Sequence, residues 1–348
     1  MSARTPYYAF DRERFTALVR DYVNYGKVYF PVKANDDPLV ISEINKNKCG
    51  FEVDSIEHII KLIKKCGVSP EKLCYSYPIR EDADIRWALK LGVRLFVVDS
   101  FEEYGKIIRR SSNAKFVVRI NVVGILKDKL EHEQNKWGLS LPEAKSLISQ
   151  IRKGRRNLAG VSFYITSEIH QEDAFEAVLN AIASNFANLG IEFINIGGGI
   201  ALNKLKTMDS CLEKAKKTVG AKYIVLEPGR HLLNPCIDMV VSIVSIRKIN
   251  ANRLVFINAG IYTGLLDAVV KNKKFPIVDE QQKSTSTLVK AYICGSSSDI
   301  SDTLGEYDLR ADLAVGGMLV IKECGAYSAV MQTHFCGKDH VEMFLRGV

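Results

Sequence analysis

The stretch IEFINIGGG, residues 191–199, is a short β-rich run that ends in three glycines. Similar runs recur along the chain, and amphipathic helical patterns fill most of the gaps between them. The candidate strands are KVYFPVK (27–33), CGFEVDS (49–55), KLCYSYP (72–78), LFVVDS (95–100), KFVVRIN (115–121), GVSFYIT (160–166), IEFINIGGG (191–199) and KYIVLEPG (222–229). Strands separated by crossover helices pair in parallel, so the simplest arrangement is a closed (β/α)₈ TIM barrel in the α/β class.

The pattern changes at Pro235, after which strands follow one another with little helix between them. These later runs include CIDMVVSIVSIRKI (236–249), RLVFIN (253–258), STLVKAYIC (286–294) and ADLAVGGMLVIKE (311–323). Strands joined by turns are typical of antiparallel sheets. We therefore expect a barrel domain over residues 1–235 and a C-terminal antiparallel β domain over residues 236–348.

The net charge of +8 comes from short basic clusters such as KLIKKC (61–66) and IRKGRR (151–156), with acidic residues between them. This spacing favours small anionic ligands or solvated faces over a nucleic-acid surface, which would need one continuous basic face. The eight cysteines form no CxxC pair and no metal-ligand spacing, so we expect reduced, mostly buried thiols and no metal site.

The N-terminal residues MSARTPYYAF contain no apolar signal core, and no run reaches the length of a membrane span. We expect a soluble, cytoplasmic protein that binds neither membrane nor nucleic acid.

In a barrel of this kind the active site lies at the carboxyl ends of the strands. The last polar residues of the candidate strands are therefore the candidate site residues. They are Lys33, Ser55, Tyr77, Asp99, Arg119, Tyr164, Gly197–Gly199, Glu227 and Arg230.

The end of the barrel sequence suggests a specific chemistry. Three glycines leave backbone N–H groups open to a phosphate, although glycines also simply turn chains. Arg230 can grip phosphate oxygens, whereas Glu227, three residues earlier, needs a cation such as a protonated pyridine nitrogen. Lys33 alone fits a strand-end lysine that reaches solvent, but together with the other groups it fits an imine-forming amine. This combination points to pyridoxal 5'-phosphate.

The chain resembles the alanine-racemase-like (fold-type III) pyridoxal-phosphate enzymes, specifically the ornithine, diaminopimelate and arginine decarboxylase group. The matching motifs run in family order. They are FPVKAN (30–35), GFEVDS (50–55), VVDS (97–100), VVRI (117–120), NKWG (135–138), VSFYITS (161–167), INIGGG (194–199), LEPGR (226–230), GSSSD (295–299) and CGAY (324–327). By this resemblance, the decarboxylases carry a carboxylate at this position of LEPGR, whereas the racemases carry an arginine there.

The resemblance implies roles for individual residues. Lys33 would hold the cofactor as an internal aldimine, and Glu227 would pair with the pyridinium nitrogen. Arg119 would support the cofactor, and Tyr327 would approach its phosphate and the substrate. The remaining cofactor-binding residues would be Tyr164, Ser167, Gly197, Gly198, Gly199, Gly229 and Arg230.

The resemblance also implies a homodimer with two active sites shared across the interface. The GSSSD segment would come from the other subunit, so Asp299 would line the partner's substrate pocket. The reaction would release CO2 from Cα of an amino acid or amino-acid conjugate through an external aldimine and a quinonoid, and would give an amine. Polyamine, siderophore or other natural-product biosynthesis would use such a product.

Three positions depart from the family pattern. Tyr164 replaces a histidine that stacks on the cofactor, and a phenol ring can still stack. Ser298 replaces a cysteine that returns a proton to the product carbon, and a hydroxyl is a weaker acid. Lys271 stands where diamine-forming members place an acidic residue, which predicts a substrate with an anionic or polar tail unless Lys271 is simply solvated.

Two alternatives remain open at this point. One is a racemase on the same scaffold, against which Glu227 argues. The other is a protein that carries pyridoxal phosphate without turnover, which the altered Tyr164 and Ser298 keep open.

Overall fold

A computed structural model describes residues 4–126, 136–165, 172–279, 281 and 283–347. The strands in these ranges are β1 (Tyr7–Phe10), β2 (Lys27–Pro31), β3 (Gly50–Val53), β4 (Leu73–Tyr75), β5 (Leu95–Val98), β6 (Lys115–Arg119), β7 (Asn157–Ser162), β8 (Ile191–Asn195), β9 (Ala221–Leu226), β10 (Ile237–Ile249), β11 (Asn252–Ile257), β12 (Ile277–Val278), β13 (Leu288–Cys294), β14 (Thr303–Arg310), β15 (Met318–Ile321) and β16 (Glu342–Leu345). The helices are α1 (Arg12–Val23), α2 (Pro38–Lys46), α3 (Ile56–Ile60), α4 (Asp82–Lys90), α5 (Phe101–Ile108), α6 (Leu141–Lys153), α7 (Glu172–Asn185), α8 (Leu202–Val219), α9 (Arg230–Leu233) and α10 (Asp267–Val270).

Strands β2 to β9 pair in parallel and close into a barrel, which confirms the predicted fold class. The inward-facing side chains fill the barrel instead of leaving a pore. One buried layer comprises Cys74, Leu95, Val97, Val117, Ala159, Phe193 and Val225. Tyr29 and Tyr223 stack on either side of Phe193, with ring centroids 6.5 Å and 5.6 Å from it.

Helix ends follow local capping rules. Ser140 begins α6 with a capping box, in which its hydroxyl and the Glu143 carboxylate bind each other's backbone N–H groups. Ser100 accepts the N–H of Glu103 at the start of α5. Gly220, with φ of +73°, ends α8 in the left-handed conformation that glycine adopts without strain.

The remaining strands form a second sheet in the order β12, β15, β10, β11, β13, β14, with β1 beside β10 and β16 beside β1. Most pairs are antiparallel, as predicted, but β1 with β16 and β11 with β13 are parallel. Neither parallel pair was predicted, because each joins segments that are distant in sequence.

The chain divides into two compact units. One holds residues Leu18–Val32 and Ile41–His231, and we call it the barrel unit. The other holds the N-terminal segment up to Ala17, Lys33–Val40 and the chain from Leu232, and we call it the β unit. The sequence placed the N-terminal segment with the barrel. In the structure this N-terminal segment groups with the β unit, because its strand Tyr7–Phe10 pairs with β10 and β16.

Candidate active site

Only glycine fits the turn that follows β8. Gly197 and Gly199 have φ values of +71° and +81°, a region that other residues rarely adopt. A Cβ on Gly198 would lie 2.3 Å from the carbonyl oxygen of Glu227, well inside contact distance. The N–H of Glu227 also donates to the carbonyl of Gly197 at 2.8 Å. The turns after β8 and β9 are therefore packed directly against each other, backbone to backbone.

Asn195 fixes the side chain of Glu227. Its Nδ2 donates to Oε1 of Glu227 at 2.7 Å, and its Oδ1 accepts the N–H of Gly197 at 2.9 Å. Asn195 is buried at the end of β8; its bond to Gly197 is buried, and its bond to Glu227 is partly buried. One buried amide thus orients the carboxylate and the glycine turn together.

A row of polar residues crosses three neighbouring strands at this level. Arg119 on β6 pairs in register with Ser162 on β7, and Ser162 pairs with Asn195 on β8. Ser162 is buried, and its hydroxyl has no hydrogen-bond partner within the described part of the chain. An unsatisfied buried hydroxyl costs about 1–3 kcal/mol, so a polar ligand group that reached it would be favoured.

A second carboxylate, that of Glu52, lies in the barrel. Glu52 on β3 is only 2% exposed, and the hydroxyl of Ser76 donates to its Oε1. Burial raises the pKa of the Cys74 thiol, and the charges of Glu227 and Glu52 raise it further. Both carboxylates therefore act on the same thiol.

Other predicted strand-end residues have local structural tasks. The hydroxyl of Ser55 accepts the N–H of His58 and so caps the N-terminus of α3. Asp99 accepts the N–H of Gly138 at 3.0 Å. Tyr77 packs edge-on against Trp137, with ring centroids 5.4 Å apart.

Of the remaining predicted cofactor residues, Tyr164 contacts the glycine turn. A Cβ on Gly197 would come within 3.2 Å of the Tyr164 ring, which is 40% exposed and therefore accessible for stacking. Gly229 is buried, and Arg230 is half-buried at the first position of α9. Ser167 lies outside the described residues.

In the β unit, Lys33 lies beside the CGAY segment. It follows β2 within a short 3-10 turn, Val32–Ala34, and its side chain is exposed. The carbonyl of Ala34 accepts the N–H of Tyr327 at 2.8 Å, and Nδ2 of Asn35 donates to the carbonyl of Gly325 at 2.9 Å. Asn35 is fully buried. Two distant segments are thus joined next to Lys33, since Asn35 and Gly325 are 290 positions apart in sequence.

The GSSSD segment contains a carboxylate held by a phenol. The hydroxyl of Tyr262 donates to Oδ2 of Asp299, and the N–H of Ser301 donates to Oδ1 at 2.9 Å. The Tyr262 hydroxyl, and then the Ser301 N–H, lower the pKa of Asp299. Asp299 is therefore held as a carboxylate, suited to bind a cation or a hydrogen-bond donor.

Lys271 is the residue that follows α10. Its N–H donates to the carbonyl of Asp267 at 3.1 Å, and its side chain is exposed. Its proposed role in substrate choice stays a prediction.

Sequence reasoning missed Asn35, Glu52, Asn195 and Tyr262. Asn195 directly precedes the three glycines, and Asn35 is the asparagine of the FPVKAN motif, so adjacency to a motif was an available signal. Glu52 and Tyr262 depend on contacts with residues 24 and 37 positions away. Glu52 also lies in a quoted motif, GFEVDS, but no sequence pattern marks the contacts themselves.

None of the eight cysteines, all of which lie in the described ranges, forms a disulfide; four are buried, three are partly buried and Cys336 is exposed. The prediction of mostly buried thiols therefore holds for only half of them. Across the described ranges, no group of three or more His, Cys, Asp and Glu side chains is placed to hold a metal ion. No described helix is both long and apolar enough to cross a membrane.

Comparison with known proteins gives a consistent picture. The family model described as pyridoxal-dependent decarboxylase, pyridoxal binding domain, matches residues 12–234. The chain is 24% identical to ornithine decarboxylase from Schizosaccharomyces pombe, over 93% of this chain and 79% of that protein. It is 25% identical to Decarboxylase flvG from Aspergillus flavus, over 93% and 80% of the two chains. It is also 25% identical to antizyme inhibitor 1 from Rattus norvegicus, over 87% and 73%.

Solved structures share the fold. The arginine decarboxylase of Paramecium bursaria Chlorella virus bound to agmatine matches with a TM-score of 0.87 at 19% identity, over 99% of this chain and 96% of that chain. A lysine/ornithine decarboxylase from Vibrio vulnificus complexed with cadaverine matches with a TM-score of 0.87 at 19% identity, over 99% and 95%.

Proposed function

Since this chain belongs to the family of pyridoxal-dependent decarboxylases and is an amino-acid decarboxylase that uses pyridoxal phosphate, we propose that it acts on an amino acid or amino-acid conjugate with an anionic or polar tail. The product is an amine for polyamine, siderophore or other natural-product biosynthesis. The observation that supports cofactor binding is the Asn195–Glu227 hydrogen bond, which orients a carboxylate that we assign to the pyridinium nitrogen.

The residues present fit the cofactor. Bound pyridoxal phosphate supplies an aldehyde that captures amines and a ring that accepts the electron pair released with CO2. Glu227 is assigned to the ring nitrogen, where its negative charge would keep that nitrogen protonated. The buried Ser162 hydroxyl, which lacks a partner among the described residues, offers a further polar contact.

The glycine turn suits the phosphate. The N–H of Gly197 already binds Asn195, so the backbone amides of Gly198 and Gly199 are assigned to phosphate oxygens. Arg230 adds positive charge, and Gly229 allows close approach of the chain. Arg119 supports the site from β6, and Tyr164 covers the ring face.

Lys33 is assigned as the amine that holds the cofactor and later accepts or returns a proton at Nζ. Its support is the pair of hydrogen bonds that join Ala34 to Tyr327 and Asn35 to Gly325. These bonds restrict the backbone on the C-terminal side of Lys33 and place Tyr327 on the adjacent segment. Tyr327 has φ of +55°, a costly conformation for a tyrosine that the surrounding contacts must hold.

We assign Asp299 to the substrate pocket of a partner subunit in a homodimer. Ile300, the next residue, is 97% exposed, and an interface that covered it would remove its apolar side chain from water. The test mixes two inactive variants, Lys33→Ala and Asp299→Ala. With a shared site, random exchange of subunits restores about a quarter of the wild-type activity. Activity that stays absent after subunit exchange contradicts a shared site.

The tail preference rests on Lys271. An exposed cation at the pocket would repel an ammonium-terminated tail and attract a carboxylate. The experiment measures CO2 release from ornithine and lysine and from amino acids of the same length that end in a carboxylate or an amide. Lys271→Glu should invert the order, whereas Lys283→Glu, at another exposed lysine, should not. Rapid turnover of ornithine by the wild type, with no response to Lys271→Glu, contradicts the proposal.

The name of one relative, antizyme inhibitor 1, supports the second candidate function, a pyridoxal-phosphate-binding regulator without turnover. CO2 release from any substrate removes that candidate. Interconversion of amino-acid enantiomers without CO2 release would instead indicate a racemase.

A further inference from the structure

Cys336 lies against Ser298. The Sγ atom of Cys336 and the Oγ atom of Ser298 are 3.6 Å apart, although the two residues are 38 positions apart in sequence. Cys336 is the exposed cysteine of the chain and has φ of +56°. Ser298 is the position where the sequence predicts the proton-returning residue and finds a hydroxyl. The structure therefore brings a thiol from a different segment to that position.

The neighbours of Cys336 are connected through Tyr262 to Asp299, a residue of the predicted substrate pocket. The ring of Phe335 packs on Tyr262, with centroids 4.4 Å apart, and Tyr262 donates to Asp299. The N–H of Thr333 also donates to the carbonyl of Tyr262 at 2.9 Å. Residues 333–336 are thus held against the GSSSD segment by contacts other than the sulfur, and the cysteine is part of a cluster.

The Cys336 thiol also differs from the other thiols in acidity. Burial raises the pKa of Cys49 to about 11 and the pKa values of Cys236 and Cys324 to about 12. Hydrogen bonds from the backbone N–H and the hydroxyl of Ser298 instead lower the pKa of Cys336.

Nearby charges act on Cys336 in both directions. Lys338 lowers the pKa of the thiol, and Asp302 raises it. Tyr262, whose own pKa is raised by its bond to Asp299, stays a neutral phenol beside it. The hydrogen bonds from Ser298 are the larger effect.

We propose that Cys336 is the proton-donating catalytic residue of the active site to which Asp299 contributes, with Ser298 as the residue that positions it; this inference rests on the proposed function. The Sγ–H bond breaks as a C–H bond forms at the substrate carbon that has lost CO2. The electron pair of the S–H bond stays on sulfur as a thiolate, which Ser298 stabilises and a solvent proton then neutralises. A thiol suits this step better than a hydroxyl because its acidity is closer to neutral pH.

The first test relocates the thiol. Cys336→Ser should lower kcat about 100-fold, a typical contribution of a positioned acid. The double variant Cys336→Ser with Ser298→Cys should recover most of that loss, because a thiol returns to the same place. Cys211→Ser, on α8 of the barrel unit, should leave kcat unchanged. In the wild type kcat should fall as pH rises through the thiol pKa, because the thiol loses the proton it donates. This decrease should be absent in Cys336→Ser.

The second test does not depend on turnover. Protein without added cofactor is alkylated with iodoacetamide at a series of pH values, and peptide mass mapping measures the rate at Cys336. The pH at which this rate is half-maximal should lie below the ordinary pKa of a thiol. Ser298→Ala should move that half-point upward. Because this measurement does not use Cys336→Ser, it stays informative if that variant folds poorly.

The outcomes distinguish a failure of the Cys336 proposal from a failure of the proposed function. CO2 release with an unchanged kcat and pH profile in Cys336→Ser overturns this inference and leaves the proposed function intact. An alkylation half-point that Ser298→Ala does not move also overturns the positioning role of Ser298. A wild type that releases no CO2 from any substrate overturns both.

Discussion

Nδ2 of Asn195 lies 2.7 Å from Oε1 of Glu227, and the same side chain accepts the N–H of Gly197. Because one amide makes both bonds, the carboxylate proposed for the ring nitrogen and the turn proposed for the phosphate move together. A substitution at Asn195 should therefore affect both ends of the cofactor.

Asn195→Ala should lower the free energy of unfolding by about 1–3 kcal/mol, since it removes the acceptor of the buried Gly197 N–H. It should also weaken pyridoxal phosphate binding. Thermal unfolding and fluorescence titration with the cofactor measure the two effects. Asn185→Ala, which removes a partly buried amide bonded to the Ala181 carbonyl on α7, is the control and should leave cofactor affinity unchanged. Equal affinities in both variants would contradict the role of Asn195.

Gly198→Ala should displace the glycine turn, because the added Cβ would lie 2.3 Å from the Glu227 carbonyl oxygen. Overpacking of this kind costs about 1–3 kcal/mol, and the phosphate contact should weaken with it. Gly124→Ala is the matched control, since a Cβ there meets nothing within 4 Å. Cofactor affinity and melting temperature report the difference, and a Gly198→Ala protein that behaves like Gly124→Ala would argue against a phosphate cradle.

Tyr262→Phe should raise the pKa of Asp299 toward its ordinary value, because the phenol hydroxyl is the main group that lowers it. Asp299 would then protonate at a higher pH, and its capacity to bind a cation would be lost earlier as pH falls. Carboxyl NMR titration of labelled aspartate measures the shift. Tyr292→Phe, at a tyrosine of β13, should leave the Asp299 titration in place. An unchanged midpoint in Tyr262→Phe would mean that the hydrogen bond does not form.

Asn35→Ala should destabilise the β unit by about 1–3 kcal/mol, since the Gly325 carbonyl loses a fully buried donor. The backbone beside Lys33 should loosen, and labelling of Lys33 by pyridoxal phosphate should slow. Asn113→Ala, at an exposed asparagine, serves as the comparison. Denaturant unfolding and the rate of adduct formation at Lys33 provide the measurements, and normal labelling of Lys33 in Asn35→Ala would contradict the link.

The barrel was predictable because its signal is local. Each of the strands β2 to β9 is a short apolar run, and each is followed by a helical pattern or a turn. The glycines of residues 197–199 and the Glu227 position were readable for the same reason, since each motif lies within a few residues of a strand end.

The missed features join distant segments. Strand β1 is four residues long, and its partners β10 and β16 lie more than 200 residues away. The contact of Ser298 with Cys336 and the bond of Tyr262 to Asp299 likewise depend on how loops of the β unit fold back. Hydrophobic periodicity carries no information about such pairings.

The most direct test of the central claim is covalent mapping of the cofactor. Purified protein is incubated with pyridoxal phosphate, its absorption near the edge of the visible range is recorded, and borohydride is added before digestion and peptide mass analysis. The account predicts an absorption band that collapses on reduction and a pyridoxyl group on Lys33. No band, or a label spread over other exposed lysines with Lys33 unmodified, would contradict it.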